Sequence, residues 1–307
     1  MSTLYEGRLA VDIIGLKLKT PVMTASGTCG FGLELMDFIQ LHELGALVVK
    51  GTSLEPWLGN SGLRIAETQA GMLNSIGLEN PGVDDFLEKK LPILKKIDVP
   101  IIVNIVGRTF EEYAKVAEKL DIEGIDALEL NISCPNVKAG GIAFGTCPRN
   151  AAEIVRMVKK NTNKPIITKL SPNVTDIAEI AKAVEDAGSD AISLINTLLG
   201  MKIDIKTKKP ALGNIFGGLS GPAIRPVAVR MVYQVAKSVK IPIIGMGGIM
   251  TAEDALEFIM AGADAVAIGT GTFVDPETVS KVTEGLLQWL DKEGFDNISQ
   301  VKGIAQI

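Results

Sequence analysis

The sequence is poor in aromatic residues, cysteine and histidine. Of its 307 residues, 5% are aromatic, three are cysteines and one is a histidine. Three cysteines without a C-x-x-C pair are too few for a disulfide framework, and they exclude a zinc or iron–sulfur site built only from cysteines of this chain. His42 is predicted on the first helix, away from the strand ends, so we expect it to be a surface or packing residue.

Long apolar runs and runs of basic residues are also absent. The longest apolar stretches fall well short of the roughly 18–20 residues that span a bilayer, and the opening residues contain no apolar signal-peptide core. Acidic and basic residues are interspersed, with a net charge of −5, which argues against nucleic-acid binding. We therefore expect a cytoplasmic protein with neither a membrane nor a nucleic acid as its partner.

Apolar residues are abundant, at 47%, and the mean hydropathy is +0.28. This balance suits buried parallel strands rich in valine, isoleucine and alanine, which are apolar on both faces. One unit recurs along the chain. It consists of a strand that follows proline, then a helical pattern, then a second strand that follows glycine. The first strands of these units start at Pro21, Pro100, Pro165 and Pro242, and the glycines are Gly45, Gly124, Gly188 and Gly262.

The repeat predicts eight strands separated by helices. We place the strands at 21–26, 46–51, 100–105, 127–132, 165–170, 191–196, 242–246 and 265–269. Strict alternation implies a parallel sheet with right-handed crossovers, and eight units close into a (β/α)8 TIM barrel, predicted here as one domain over residues 1–307. The alternative, an open doubly wound sheet, predicts a G-x-G-x-x-G fingerprint, which does not occur.

Three additions to the barrel are predicted. Residues 7–19 alternate around Gly15 and indicate an N-terminal hairpin at the barrel floor. Residues 52–81 form a long loop, and residues 201–215 form an inserted hairpin with its turn near Lys206–Pro210. These last two follow the C-terminal ends of strands, the face where such barrels carry their active sites.

Equivalent positions near the strand ends define a ring. Its members are Ala25, Lys50, Asn104, Asn131, Lys169, Ile195, Met246 and Gly269. Two lysines and two asparagines among apolar strand residues would be costly in a plain core. Solvated rim positions could explain one or two of them, but four together favour a ligand site.

The ring indicates the chemistry of the ligand. Two ammonium groups favour anionic or developing negative charge, and the amides of Asn74, Asn104, Asn131, Asn136 and Asn196 suit a planar heterocycle with imide edges. The Gly247-Gly248-Ile249 and Gly269-Thr270-Gly271 loops, after the last two strands, lie where barrels bind phosphate. The simpler interpretation is that these glycines only make tight turns.

Cys134 is the best-placed titratable group. It lies in Asn131-Ile-Ser-Cys-Pro-Asn136, just beyond a strand end. A free thiol has a pKa near ~8.5, so nearby cations could make it a base or a nucleophile. The alternative, a small buried hydrophobe, is the better account of Cys29 and Cys147.

Several motifs resemble those of class 1 dihydroorotate dehydrogenases. They are Asn131-Ile-Ser-Cys-Pro-Asn136, Lys169-Leu-Ser-Pro-Asn173, Asn196-Thr197, Asn74-Ser-Ile-Gly-Leu-Glu-Asn-Pro-Gly82, Ser220-Gly-Pro222 and Gly245-Met-Gly-Gly-Ile249. The segments Ala25-Ser-Gly-Thr-Cys-Gly-Phe-Gly32 and Ile195-Asn-Thr-Leu-Leu-Gly-Met201 are similar to the class 1B branch. The resemblance covers nearly the whole chain.

The resemblance implies FMN-dependent oxidation of dihydroorotate to orotate in pyrimidine biosynthesis. It makes Cys134 the base for the C5 proton and Lys50 and Lys169 the catalytic lysines, with Lys169 stabilising the anionic reduced flavin. The implied FMN site comprises Ser26, Lys50, Gly51, Asn104, Asn131, Lys169, Ile195, Gly221, Gly247, Gly248, Gly269 and Thr270. The implied substrate site comprises Lys50, Asn74, Ser75, Ile76, Gly77, Leu78, Asn131, Asn136, Asn196 and Thr197.

The resemblance also implies a partner. In class 1B, an electron-transfer subunit carrying FAD and a [2Fe–2S] cluster passes electrons to NAD+, and a homodimer of the flavin subunit forms the core of a heterotetramer. Two alternatives stay open at this point. One is a fumarate-dependent class 1A enzyme that needs no partner, and the other is a phosphate-binding barrel lyase or isomerase without flavin.

Overall fold

Eight parallel strands form the centre of the computed structural model, which describes residues 7–132 and 144–307. In chain order they are β1 (Val22–Thr24), β2 (Leu47–Thr52), β3 (Ile101–Ile105), β4 (Ala127–Asn131), β5 (Ile166–Lys169), β6 (Ala191–Leu194), β7 (Ile243–Met246) and β8 (Ala265–Ile268). From β2 to β8, each strand pairs with the next one in sequence, and β8 pairs with β1. All eight predicted strands are therefore confirmed.

The seam between β1 and β2 closes the barrel. The Gly45 N–H donates to the Val22 carbonyl at 2.9 Å. Further along the two strands, the Val48 N–H donates to the Thr24 hydroxyl, also at 2.9 Å. At this point a side-chain oxygen is the acceptor in place of a backbone carbonyl. Because the sheet closes on itself, the open doubly wound alternative is wrong.

Helices cover the outside of the barrel. The longer ones are Phe110–Lys119, Pro148–Lys159, Ile177–Asp186, Arg225–Ala236, Ala252–Met260 and Thr278–Glu293. Shorter helical pieces are Leu33–Leu35, Leu41–Glu43, Val83–Asp85, Phe86–Lys90, Leu91–Leu94, Phe144–Thr146, Pro222–Ile224, Gly271–Val274 and Ile298–Gln300. No helix in the described ranges is long and apolar enough to cross a membrane.

Three of the repeat glycines, Gly124, Gly188 and Gly262, are followed two residues later by an aspartate, and these aspartates have a common structural role. Asp126 accepts a hydrogen bond from the Ile101 N–H at 2.7 Å, and its own N–H donates back to the Ile101 carbonyl at 2.9 Å. Asp190 with Ile166 and Asp264 with Ile243 repeat the arrangement. Each aspartate directly precedes the next strand, so it pairs the first N–H of a strand that follows proline and links the starts of two successive strands.

An N-terminal hairpin closes the floor of the barrel, as predicted. Val11–Ile13 pairs antiparallel with Leu16–Leu18. Ile13 and Leu18 are buried and join the inward-facing side chains of the strands, among them Met23 and Ile102. The lower half of the barrel is therefore a packed apolar core.

The two insertions on the opposite face combine into one sheet. Residues 52–81, predicted as a loop, contain the strands Ile65–Thr68 and Gly71–Asn74. The predicted hairpin is longer than 201–215, since Leu198–Met201 pairs with Phe216–Ser220 and Ile203–Asp204 with Lys209–Pro210. Phe216–Ser220 also pairs with Gly71–Asn74, so four antiparallel strands form an accessory sheet.

The predicted first helix is wrong. Between β1 and β2 the chain forms only the single turns Leu33–Leu35 and Leu41–Glu43, with His42 exposed on the second. Gly30 and Gly32 have φ of +55° and +91°, and such left-handed residues stop a right-handed helix from continuing. The surface position of His42 is confirmed.

Replacing Asp126 by alanine should destabilise the barrel, because the buried Ile101 N–H loses its acceptor. The free energy of unfolding should fall by about 1–3 kcal/mol. Asp126→Asn keeps an acceptor oxygen of the same shape and should lose clearly less. Thermal unfolding of the two variants measures the difference, and equal losses would show that the hydrogen bond to Ile101 is not the cause.

Candidate active site

Four polar side chains from successive strands meet in the upper half of the barrel. They are Asn104 on β3, Glu129 on β4, Lys169 on β5 and Ser193 on β6, and none is more than 5% exposed. Asn104 Nδ2 donates to Glu129 Oε2 at 2.6 Å, and the Ser193 hydroxyl donates to Glu129 Oε1 at 2.7 Å. We call these four residues the polar layer.

Lys169 links the polar layer to the end of β1. Its Nζ lies 3.9 Å from Glu129 Oε2 and donates to the Ser26 hydroxyl at 3.1 Å. The predicted cofactor residues Ser26, Asn104 and Lys169 therefore belong to one group, which is joined by hydrogen bonds and by the ion pair between Lys169 and Glu129. Its partners come from β1, β3, β4, β5 and β6.

Glu129 and Ser193 are the members of this group that the sequence prediction missed. The ring took one position per strand, and Glu129 lies two residues before the ring position on β4. The signal was present, because Glu129 is the only charged residue in the apolar run Ala127-Leu-Glu-Leu-Asn131. A buried carboxylate is costly unless its oxygens are paired, and here both oxygens accept hydrogen bonds.

Lys50 lies at an irregular point in β2. The pairing of β2 with β3 shifts register between Val49 and Thr52, as in a β-bulge, which redirects side chains at strand ends. The pKa of the Glu79 carboxyl is lowered, mainly by Arg64 and to a smaller extent by Lys50. The Lys50 ammonium therefore acts on the segment that contains the predicted substrate residues.

The end of β4 is held from two sides. The Tyr113 hydroxyl, on a neighbouring helix, donates to the Asn131 carbonyl at 2.6 Å. Asn196 Nδ2 donates to Asn131 Oδ1 at 3.2 Å, which joins the two predicted amides into a pair. Ile195, the ring member before Asn196, is buried, and its N–H donates to the Met246 carbonyl at 3.0 Å.

The predicted substrate segment Asn74–Leu78 leaves the accessory sheet and passes over the barrel. Asn60 holds it from outside, donating from Nδ2 to the Ser75 carbonyl at 3.0 Å and from its N–H to the Ile76 carbonyl at 3.0 Å. Ser75 is 5% exposed, and among the described residues its hydroxyl has no hydrogen-bond partner. A buried hydroxyl without a partner indicates a position where a ligand completes the bonding.

Thr197, another predicted substrate residue, packs against the accessory sheet. A Cβ on Gly218 would lie 1.9 Å from Thr197 Oγ1, so only glycine fits this contact. Gly218 is paired with Asn74 across the sheet, and Asn74 Nδ2 lies 3.4 Å from the Gly218 carbonyl oxygen. The accessory sheet thus brings Asn74 and Thr197, from two insertions, to one place.

The predicted phosphate residues also lie together. A Cβ on Gly248 would lie 2.7 Å from the Gly221 carbonyl oxygen, and Gly248 has a φ of +80°. Thr270, after β8, donates from its hydroxyl to the Ser220 hydroxyl at 2.7 Å. The backbones that follow β7, β8 and the accessory sheet thus come into close contact, and Gly247 and Gly269 belong to the same loops.

Cys134 and Asn136 lie in residues 133–143, outside the residues that the structure describes. Their roles therefore stay predictions. The described chain stops at Ile132, directly after Asn131, and resumes at Phe144.

The other two cysteines differ from each other. Burial raises the pKa of the Cys29 thiol to about 11, and Sγ lies 3.3 Å from the Val48 carbonyl oxygen. Cys29 is thus the small buried residue that was predicted. Cys147 does not fit that prediction, because it is partly exposed and precedes the first turn of Pro148–Lys159.

Comparisons with known proteins find relatives that cover almost the whole chain. The family model described as dihydroorotate dehydrogenase matches residues 8–290. A protein of Alkaliphilus metalliredigens is 57% identical over 295 residues, covering 96% of this chain and 98% of its own. Proteins of Geobacter sp. strain M21 and Thermoanaerobacter pseudethanolicus are 54% identical, covering 97% of this chain and 98% and 99% of their own. All three are named "Dihydroorotate dehydrogenase B (NAD(+)), catalytic subunit".

A solved structure shares the fold. It is a dihydroorotate dehydrogenase of Eimeria tenella, crystallised with ferulenol, and it aligns with a TM-score of 0.80 over 96% of this chain and 88% of its own. Sequence identity is 23%, so this similarity supports the barrel and not the details of the site.

Cys29 should resist alkylation in the folded protein. With a pKa of about 11, only about one thiol in a thousand is ionised at pH 8, and burial blocks access to the sulfur. Iodoacetamide labelling followed by peptide mass spectrometry should show Cys29 reacting at least ~100-fold more slowly than in the urea-unfolded chain. Equal rates in the two states would contradict the buried, protonated thiol.

Proposed function

The chain belongs to the dihydroorotate dehydrogenase family, and from that premise we propose that it oxidises dihydroorotate to orotate with bound FMN. The observation that carries the proposal is the buried group of a lysine and amides at the ends of β3 to β6. This group offers positive charge and paired amide donors and acceptors within one barrel mouth. A flavin-free lyase or isomerase that needs only a phosphate site has no evident use for it.

Three of the buried polar side chains fit the flavin ring. Asn104 and Asn131 supply amides for the imide edge of the ring, and the buried Lys169 ammonium stabilises negative charge on the reduced ring. Ser26, Lys50, Gly51 and Ile195 complete the ring contacts in this proposal. When it is bound, FMN supplies a two-electron acceptor that takes the hydride from C6 of dihydroorotate.

The glycine loops fit the FMN phosphate. A Cβ on Gly248 would occupy the space against Gly221, so the backbone N–H groups there can approach an anion closely. Gly247, Gly269 and Thr270 lie in the adjoining loops and complete the phosphate contacts. This is the position, after the last two strands, where phosphates bind in such barrels.

In this proposal, dihydroorotate would bind against the accessory sheet. The Ser75 hydroxyl, which has no hydrogen-bond partner in residues 7–132 and 144–307, supports this position, since a polar ligand would satisfy it. Lys50 attracts the substrate carboxylate, and Asn131 and Asn196 present amides to the pyrimidine ring. The remaining substrate contacts of the proposal are Asn74, Ile76, Gly77, Leu78, Asn136 and Thr197.

Cys134 is the base in this proposal. Its thiolate takes the proton from C5 while the hydride leaves C6, so the ring gains a double bond and becomes orotate. His42 is the only histidine, and it is exposed on a turn between β1 and β2, so no imidazole is available for this step. Cys29 is unsuitable as well, since its raised pKa keeps it protonated.

The electrons leave through a partner subunit. A [2Fe–2S] cluster with four thiolate ligands needs more cysteines than the three in this chain. In the proposal the partner carries FAD and the [2Fe–2S] cluster and reduces NAD+. A homodimer of this chain is the core of the resulting heterotetramer.

Purified protein should be yellow with bound FMN and should bleach when dihydroorotate is added without oxygen. Cys134→Ala should retain FMN, because the thiol is proposed to contact the substrate and not the flavin. Its flavin reduction should be slower by about 10²–10⁴-fold, the usual contribution of a general base. Stopped-flow absorbance of the flavin measures the rate.

The matched control is Cys147→Ala, which removes a partly exposed thiol that has no proposed role. It should reduce its flavin at the wild-type rate. A normal rate in Cys134→Ala would reject Cys134 as the base, and a colourless protein that takes up no FMN would reject the proposed function.

A tagged chain purified from its native cell should bring down an iron–sulfur flavoprotein. The complex should reduce NAD+ with dihydroorotate, while the isolated chain should not. Visible spectroscopy and iron analysis identify the cluster, and NADH absorbance follows the reaction. Brisk turnover of the isolated chain with fumarate, with no second subunit bound, would instead identify a class 1A enzyme.

A further inference from the structure

Glu129 is the one member of the polar layer whose charge opposes the proposed chemistry. The reduced flavin ring is anionic, and a carboxylate nearby disfavours it. Yet Glu129 is 2% exposed and lies in the middle of the barrel, where burying its charge is costly. A buried carboxylate in this position calls for a specific role.

The hydrogen bonds of Glu129 determine how Asn104 is oriented. Because Asn104 Nδ2 donates to Glu129 Oε2, the amide nitrogen points into the polar layer and Oδ1 points away from it. A Cβ on Gly51 would lie 3.0 Å from that Oδ1, so the oxygen faces the end of β2. An amide group turns over readily, and the carboxylate fixes which end is presented to the site.

The charge of Glu129 acts on Lys169. The two groups are 3.9 Å apart, with side chains 3% and 6% exposed, so solvent screens their interaction little. The carboxylate oxygen and the Ser26 hydroxyl are the contacts found for Lys169 Nζ in the described residues. Glu129 therefore both holds the ammonium in place and offsets part of its field.

We propose that Glu129 is a positioning residue that orients the Asn104 amide and moderates the charge of Lys169, and thereby lowers the reduction potential of the bound flavin. This inference rests on the proposed FMN site. A less positive potential favours passing the electrons onward to another acceptor. The Glu129 carboxylate thus favours the transfer of electrons from the reduced flavin to the next acceptor. Without the carboxylate, the Lys169 ammonium would favour reduction of the flavin.

Glu129→Gln separates charge from shape. The glutamine Oε1 can accept from Asn104 Nδ2, and its Nε2 can donate to the Ser193 hydroxyl, so both hydrogen bonds survive. Only the negative charge is lost. Ser193→Ala is the matched control, because it removes one hydrogen bond to Glu129 and leaves the charge.

The midpoint potential of bound FMN should become more positive in Glu129→Gln. The affinity for reduced relative to oxidised FMN should rise about tenfold, which for two electrons corresponds to a shift of ~30 mV. Ser193→Ala should stay close to the wild-type potential. An unchanged or more negative potential in Glu129→Gln with FMN bound would overturn the proposal, as would an equal shift in Ser193→Ala.

A second measurement uses the apoprotein and needs no flavin. Lys169→Met leaves Glu129 as an unpaired buried charge, and adding Glu129→Gln should recover much of the lost melting temperature. Additive losses in the double variant would show that the two charges are not coupled, and would overturn the proposal. Failure of the wild-type protein to bind FMN would instead reject the proposed function and leave this coupling intact.

Discussion

The upper half of the barrel depends on the hydrogen bonds and the ion pair that the Glu129 carboxylate makes. Below it, Ile13, Leu18 and the inward-facing strand side chains form an apolar core. Two residues above it, Asn131 already belongs to the mouth of the barrel. Along these few residues of the strand, the barrel interior changes from apolar to charged. A lysine buried there needs a partner of opposite charge. Glu129 supplies it, and two hydrogen bonds make the carboxylate tolerable in turn.

The site divides into a rigid part and an added part. Except for Gly221, which follows the accessory strand Phe216–Ser220, the proposed cofactor residues lie on barrel strands or in the segments that directly follow them, and closure of the barrel fixes their separations. The proposed substrate residues Asn74, Ser75 and Thr197 depend instead on the accessory sheet, which joins two insertions far apart in sequence. A cofactor stays bound, whereas a substrate must enter and leave in every catalytic cycle. The proposed cofactor residues on the barrel and the proposed substrate residues on the accessory sheet match this difference.

Sequence reasoning predicted the barrel because each unit repeats the same local signals. The proline before the strand and the aspartate after the glycine are now explained together, since pairs such as Ile101 and Asp126 bond to each other. The accessory sheet was missed because its strands pair over more than 140 residues, as Asn74 does with Gly218, and no local pattern encodes that register. Glu129 was missed because the predicted ring took only one position per strand. On β4 that position is Asn131, and Glu129 lies two residues before it, in the layer below the ring. The roles of Cys134 and Asn136 remain predictions.

The contrast among the cysteines follows from where each one lies. Cys29 is enclosed near the β1–β2 seam, where burial keeps its proton on and removes it from any chemistry at neutral pH. Cys147 is partly exposed and directly precedes the first turn of the helix Pro148–Lys159. Cys134 alone follows the asparagine of β4, and Lys169, paired with Asn131 across the strands, brings a buried cation to that strand end. A thiol serves as a base only where cations favour its ionised form. In the proposed mechanism, the polar layer, in which Glu129 holds Lys169, is what would make this end of β4 suitable for proton transfer to Cys134.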